Sequence, residues 1–281
     1  MEVLTVSESV MAAQRPAKSA STRMKIILEK FFNFKTLRGF STVVVFCVLW
    51  QLVVYYEVPY LLNLPRPLDV ANNAGASAAA PDYWINWGLS LMRIFIGFIA
   101  AQVIGIPLGL AMGISRTFKQ FTFSIFEILR PIPPIAWIPV AILFWPTREL
   151  SIYFLVFIGA FYIQILNVIQ GVSNISVNVK WAAYSLGAKP KDIFWRILLP
   201  GSLPSIVTGM TVGMGVAWNV LIAAEMIAAQ GGLGRSTWES YTNHNIPYIV
   251  VGMASIGLAG SLCSVLLRWL GKRAMPWTKK F

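Results

Sequence analysis

No residue between Leu150 and Ser173 carries a charge, and the stretches 86–114, 203–229 and 246–270 hold one charged side chain each. A bilayer core takes about 20 apolar residues of helix to cross. Inside it every backbone N–H and C=O must be bonded within its own segment, which leaves helices as the form for such runs. With 39–56 and 121–145 added, the pattern predicts an all-α polytopic membrane protein of about six spans: 39–56, 86–114, 121–145, 150–173, 203–229 and 246–270. Composition agrees, because 57% of the chain is hydrophobic and 12% charged, far from the balance of a soluble domain of this length.

The formal charge is +12, but its placement argues against nucleic acid. Arg15, Lys18, Arg23, Lys25, Lys30, Lys35 and Arg38 precede the first span, and Arg268, Lys272, Arg273, Lys279 and Lys280 close or follow the last. Arg116 and Lys119 sit in one connection, and Lys180, Lys189, Lys191 and Arg196 in another. Loops rich in Lys and Arg stay on the cytoplasmic side, so both termini are expected there. The opposite segments hold only Arg66, Arg148 and Arg235, against Glu57, Asp69, Asp82, Glu149 and Glu239. Residues 1–38 read as a basic cytoplasmic tail without a leader, and Ile27, Phe31 and Phe34 suggest an interfacial helix over 24–35. Residues 39–281 form the transmembrane domain. The external segment 57–85, rich in Pro, Ala and Asn, is expected to be a loop lying on the membrane face.

Gly105, Gly109 and Gly113 recur every four residues, a spacing that lets two helices approach closely. Their partner helix is expected in the same chain. Cys47 and Cys263 lie within apolar runs and read as packing residues. His244, the one histidine, reads as a solvated loop residue, and no carboxylate or Cys/His cluster suggests a metal or an enzyme.

The segment from about 174 to 202 interrupts this pattern with a basic, punctuated insert. Residues 176–186 suit a helix that Gly187 ends as the first residue beyond its cap. Lys189-Pro190 marks a restart, with Asp192 favourable in the new first turn. Ile193, Phe194, Ile197 and Leu198 then make one apolar stripe, and Pro200 and Pro204 are expected to end that helix. The result is a compact helix–Gly–helix unit, greasy on one side and basic on the other.

Ala182, Ala183, Gly187, Ala188, Ile197, Leu199 and Pro200 resemble the cytoplasmic loop of ABC importer permeases, in which Glu-Ala-Ala precedes Gly and Ile-x-Leu-Pro at fixed spacing. Trp181 stands at the Glu position. The stretches ILRPIPPIAWIPVAILFW (128–145) and AEMIAAQGGLG (224–234) resemble the nitrate/sulfonate/taurine/bicarbonate branch, most of all the cyanobacterial nitrate/nitrite permeases. The resemblance covers nearly all of 85–270. It implies the type I ABC importer permease fold, a bacterial, cyanobacterial-type plasma membrane location and a coupling helix within 174–202. The implied partners are a second copy of the chain, two cytoplasmic ABC ATPase subunits, an extracytoplasmic substrate-binding protein and membrane lipids.

The implied cargo is a small inorganic anion, nitrate or nitrite first, with bicarbonate or sulfonate/taurine as the alternative. No G-x-x-x-x-G-K-[ST] loop occurs in the sequence, so ATP and Mg are expected on the ATPase partners and no cofactor on this chain. The competing class is a stand-alone secondary transporter or channel, which has no need of the Gly187 loop.

Ionisable groups within spans are costly and mark candidate sites. Arg93, near the outer end of its span, is expected to snorkel to the interface in a structural role. Arg130 precedes prolines 131, 133 and 134, which are expected to bend span three. Its guanidinium either pairs with Glu127 three residues earlier or lines an anion pathway as a planar fork of donors. Glu225 is a candidate gate or packing group. Asn219, mid-span, is a candidate for the pathway or for an interhelical hydrogen bond.

Overall fold

The structure, a computed structural model, describes residues 34–56 and 63–277. The interfacial helix expected over 24–35 and most of the basic tail fall outside those residues. Two compact units divide the chain after Pro67. The first contains α1, Phe34–Tyr55, after which the Trp50 indole N–H donates to the Pro65 carbonyl at 3.1 Å.

In the second unit α2 spans Pro67–Ala79 and α3 spans Pro81–Ile114. The external segment 57–85 is therefore mostly helix and not the loop expected from its composition. Pro67 and Pro81 each sit at a helix start, where the missing N–H costs nothing, and the run of alanines between them favours helix. α4, Arg116–Leu129, is capped by the Ser115 hydroxyl, which accepts from the Phe118 N–H at 3.2 Å. After a turn and one 3₁₀ turn comes α5, Ile138–Phe144.

α4 and the Pro134–Phe144 stretch are bent by 84° at this break. Pro134 excludes the helical region for Pro133, which adopts φ −56°, ψ 133° and ends the run. α6 is Arg148–Ser173, α7 Val177–Ser185, α9 Leu233–Thr242 and α10 Ile246–Ala274.

Helix α8 runs from Pro190 to Ala228 without interruption, so Pro200 and Pro204 do not end it as expected. A π turn at Phe194–Leu198 explains this, because Leu199 N–H donates to the Phe194 carbonyl five residues back. The widened turn spares Pro200 the i−4 bond that its nitrogen cannot make.

Among the described residues α3, α6, α8 and α10 are long and apolar enough to cross a membrane. The bent α4–α5 pair supplies a fifth crossing if counted as one span, and α1 contributes a shorter apolar helix over Val44–Tyr55. This is four or five long spans where six were expected.

α6 is the central helix, packed between α3 and α8. On α3, Gly97, Gly109 and Gly113 lie so close to Val156, Val168 and Val172 that an added Cβ would sit 2.6–2.8 Å from the valine Cβ atoms. On the other side Gly213 packs on Ala160, and Gly171 faces Ser205. The glycine stripe thus meets a helix of the same chain, as expected. Ile94, Ala101, Leu155, Val156, Met214 and Leu221 fill the core between the three helices.

Candidate functional site

Asn86, Ser90 and Arg93 follow one another at i, i+4, i+7, which puts three polar side chains on one face of α3. That face continues directly into Gly97. Arg93 is 2% exposed and Glu225 is 0% exposed, so Arg93 does not snorkel. It is held in a buried network at one end of the helices. Its Nε and Nη2 donate to Glu149 Oε2 and Oε1 at 2.8 and 2.6 Å. Its Nη1 donates to Glu225 Oε1 at 2.9 Å and to the Gly231 carbonyl at 2.6 Å.

The Ser90 hydroxyl lies 2.8 and 2.9 Å from the two Glu225 oxygens and accepts from the Leu233 N–H at 2.8 Å. Gly234 N–H donates to Glu225 Oε2 at 2.8 Å, and Gly232 N–H to Asn86 Oδ1 at 2.7 Å.

The electrostatics follow from helix ends. Glu149 is in the first turn of α6, where a carboxylate is favoured. Glu225 lies in the last turn of α8, where it is disfavoured. The first turn of α9 corrects this by presenting the Gly234 N–H to the carboxylate. Gly232 makes the arrangement sterically feasible. Its φ is +113°, and a Cβ there would overlap the Glu225 carboxylate, so only glycine fits. The Gly-Gly-Leu-Gly loop is thereby a clamp that ties α3, α6, α8 and α9 together.

Sequence reasoning flagged Arg93 and Glu225 separately and missed that they pair. The polar i, i+4, i+7 stripe on α3 is the signal that carried the information.

Arg130 and Glu127 are exposed beside the bend, Arg130 as the residue after α4. Among the described residues no ion pair joins them. Asn219 is exposed on the unpacked face of α8, with Val212, Gly215 and Ile227, and the structure assigns it no interhelical hydrogen bond. His244 has φ 57° and ends α9, its N–H donating to Tyr241 O at 3.0 Å and that of Asn245 to Ser240 O at 2.9 Å. Among the described residues no group of three or more His, Cys, Asp or Glu lies together.

At the other end of the helices, Gly187 has φ +81°. Its N–H donates to Tyr184 O at 2.9 Å, and the Ala188 N–H to Ala183 O at 3.0 Å. These two bonds satisfy the last carbonyls of α7 in the Schellman pattern. The Asp192 carboxylate accepts from the Lys189 N–H at 3.2 Å and starts α8. Ile193 and Leu198 are buried, with Ala183, Ala188, Phe194, Ile197 and Leu199 packed around them against Leu110, Val168, Val172 and Ile206. This anchors the insert to α3, α6 and α8. The insert leaves Trp181 65% and Leu186 88% exposed, and Tyr184 and Trp195 are exposed as well. An apolar surface on a basic insert, rigidly joined to three long helices, suits transmission of movement from a docked partner.

The family model for the binding-protein-dependent transport system inner membrane component matches residues 94–280. A putative ABC transporter permease of Methanocaldococcus jannaschii is 38% identical over 68% of this chain and 72% of that protein. The taurine transport system permease TauC of Escherichia coli is 33% identical, covering 84% of this chain and 88% of that one. The nitrate import permease NrtB of Synechocystis is 30% identical over 92% and 96%. In fold, the chain is similar to an inward-facing structure of the MetNI methionine ABC transporter, with TM-score 0.53, 22% identity, and 70% and 94% of the two chains covered. The chain belongs to this family, as a multi-pass membrane permease of ABC importers, a non-catalytic translocating component that works with ATPase and binding-protein partners.

Proposed function

We propose that the chain forms the translocation pathway of an ATP-driven importer for a small oxyanion, nitrate or nitrite in first place. Bicarbonate or a sulfonate such as taurine is the second reading, favoured by the relative named for taurine. The observation that carries the class is that relatives named for nitrate and for taurine each align with more than four-fifths of the chain. Both solutes carry an anionic oxygen group of similar size. A stand-alone secondary transporter or channel has no place for the α7–Gly187–α8 unit and no support from the family.

In this reading two copies of the chain stand on two ATPase subunits. Those subunits bind ATP and Mg, this chain binds no cofactor, and an external protein delivers the anion. Both termini and the 174–202 insert lie in the cytoplasm of a bacterial cell in this reading, which the Lys- and Arg-rich connections support. Ala182, Ala183, Gly187, Ala188, Ile197, Leu199 and Pro200 form the coupling unit. ATP closes the motor dimer, the two coupling units move together, and the pathway opens outward. Asn219 and Arg130, both exposed and without an ion-pair or hydrogen-bond partner for their side chains among the described residues, face that pathway. Glu225, with both oxygens engaged, anchors the outer end of α8.

The assembled complex with its binding protein should show ATP hydrolysis stimulated by nitrate or nitrite above bicarbonate and taurine. Stimulation by uncharged or cationic solutes alone would overturn the oxyanion reading.

Gly187→Val tests the coupling unit. No atom lies within 4 Å of a Cβ at Gly187, so the penalty is the left-handed backbone alone, about 1–2 kcal/mol and worst for a β-branched residue. The Val variant is expected to insert normally and lose most binding-protein-stimulated ATPase activity. Gly187→Asn, which tolerates this backbone, should keep most of it. A Val variant with native coupling would remove the turn from the transmission path.

A further inference from the structure

Of the three arginines in segments 57–85, 146–149 and 230–245, two lie 87 positions apart and line one cavity. Arg148 and Arg235 line an open cleft of about 330 Å³ together with Gln230, Ile142, Ile227, Ala228 and Ala229. Basic residues are disfavoured on this side of a membrane protein, and Glu149 and Glu239 are their near neighbours in sequence. Neither acid fully neutralises them. Glu149 has both oxygens on Arg93. Glu239 pairs with Arg235 through Nε, at 2.7 Å, and among the described residues no hydrogen bond occupies the two terminal amino groups of that guanidinium. Among the described residues Arg148 has no carboxylate within 4.0 Å.

The lining is also held in place. Gly231, next to Gln230, is gripped through its carbonyl by Arg93, and Gly232 by Asn86. Arg235 follows in the first turn of α9, whose start is fixed by Ser90 and Glu225. The clamp therefore positions the two donors of the α9 side, while Arg148 comes from the first turn of α6.

We infer that the cavity between Arg148 and Arg235 is an oxyanion-binding site at the external mouth of the permease, where nitrate or a similarly small oxyanion first contacts this chain. Guanidinium forks match the oxygen edges of such anions. The cleft is roomy enough for a small oxyanion with part of its hydration shell. Ala228 and Ala229, both buried, supply the apolar side of the site. The inference rests on the proposed function for its ligand class, and the phosphate of a lipid headgroup shares the same chemistry.

The experiment uses the assembled complex in detergent without binding protein, with nitrate, bicarbonate or taurine replacing gluconate at constant ionic strength. A saturable rise in unfolding temperature is expected with at least one of them. In Arg148→Gln and Arg235→Gln the concentration needed for half the rise should increase about tenfold, the loss of one charge-assisted contact. Arg66→Gln, the third arginine of the set, should behave as native. All four proteins should unfold at the same temperature in gluconate.

No saturable rise in the native complex overturns the site, as does a rise that the Arg148→Gln, Arg235→Gln double variant keeps unchanged. A rise seen only after adding phosphatidylglycerol, and lost in the double variant, gives the cavity to a lipid phosphate and overturns the small anion. Unchanged anion stabilisation with lost stimulation by binding protein gives the arginines to protein docking instead. Anion-stimulated ATPase activity of the native complex with its binding protein added is measured in parallel. If it is present without stabilisation, the site fails and the function stands. If it is absent for every anion, the function fails.

Discussion

Replacing Arg93 with alanine is expected to lower the stability of the permease by about 3–5 kcal/mol, the cost of leaving a buried partner charge uncompensated. Glu225 is fully buried, and without Arg93 it keeps only the Ser90 hydroxyl and the Gly234 N–H. Those two donors do not balance a full negative charge in a low-dielectric surround. Arg93→Lys should fall between, because one ammonium cannot reach Glu149 through two parallel bonds while also bridging Glu225 and the Gly231 carbonyl.

Glu149→Gln should cost far less, since the Glu149 side chain is 45% exposed and water can take its place. Arg93→Met combined with Glu225→Met should recover most of the loss, since no buried charge then remains and the 45% exposed Glu149 is left to water. The measurement is unfolding temperature of the purified complex in detergent for these four variants. An alanine variant as stable as the native protein would mean the network does not hold the outer helix ends together.

The spans were legible because apolar length is a direct physical requirement of a bilayer. The close approach at the glycine stripe was legible because it needs small residues in register, though spacing alone does not say which chain supplies the partner helix. Gly187 was legible because a helix end with positive φ leaves a glycine as its trace.

The buried network was not, because its members lie 56 and 132 positions apart. Local spacing pointed instead to Glu127 and Arg130. Among the described residues no ion pair joins those two, although Arg130 still has helical backbone angles, φ −58° and ψ −40°. The α2 helix and the continuity of α8 through Pro200 failed for a related reason. A proline read as a stop is equally a helix start, or a place where one wide turn absorbs it. Single positions do not say which.

The second large effect is expected from wedging α3 away from α6. In lipid the helices gain nothing from hydrophobic exclusion, so close van der Waals packing is what holds them. At Gly97 a Cβ would stand 2.6 Å from Val156 Cβ and 2.8 Å from the Tyr153 carbonyl oxygen. The valine can change rotamer, but the carbonyl belongs to the central helix and cannot move alone. Gly109 is nearly as tight, 2.7 Å from Val168 Cβ and 3.1 Å from the Ile165 carbonyl. Gly105 is looser, with its nearest atom 3.4 Å away on Phe161.

Gly97→Leu and Gly109→Leu should therefore cost 3 kcal/mol or more, above the ~1–3 kcal/mol usual for overpacking, and reduce the yield of folded protein severely. Gly105→Ala should stay within ~1 kcal/mol. Gly215 supplies the contrast, with nothing within 4 Å of its added Cβ and an exposed position on the face of α8 that carries Asn219. Gly215→Leu should leave the folding of the chain intact. If it nevertheless blocks assembly or uptake, that face meets another copy of the chain or lines the pathway. Yield, unfolding temperature and uptake of the four variants, taken together, decide the matter. Native behaviour of Gly97→Leu would show that α3 and α6 are not packed as closely as their glycines allow.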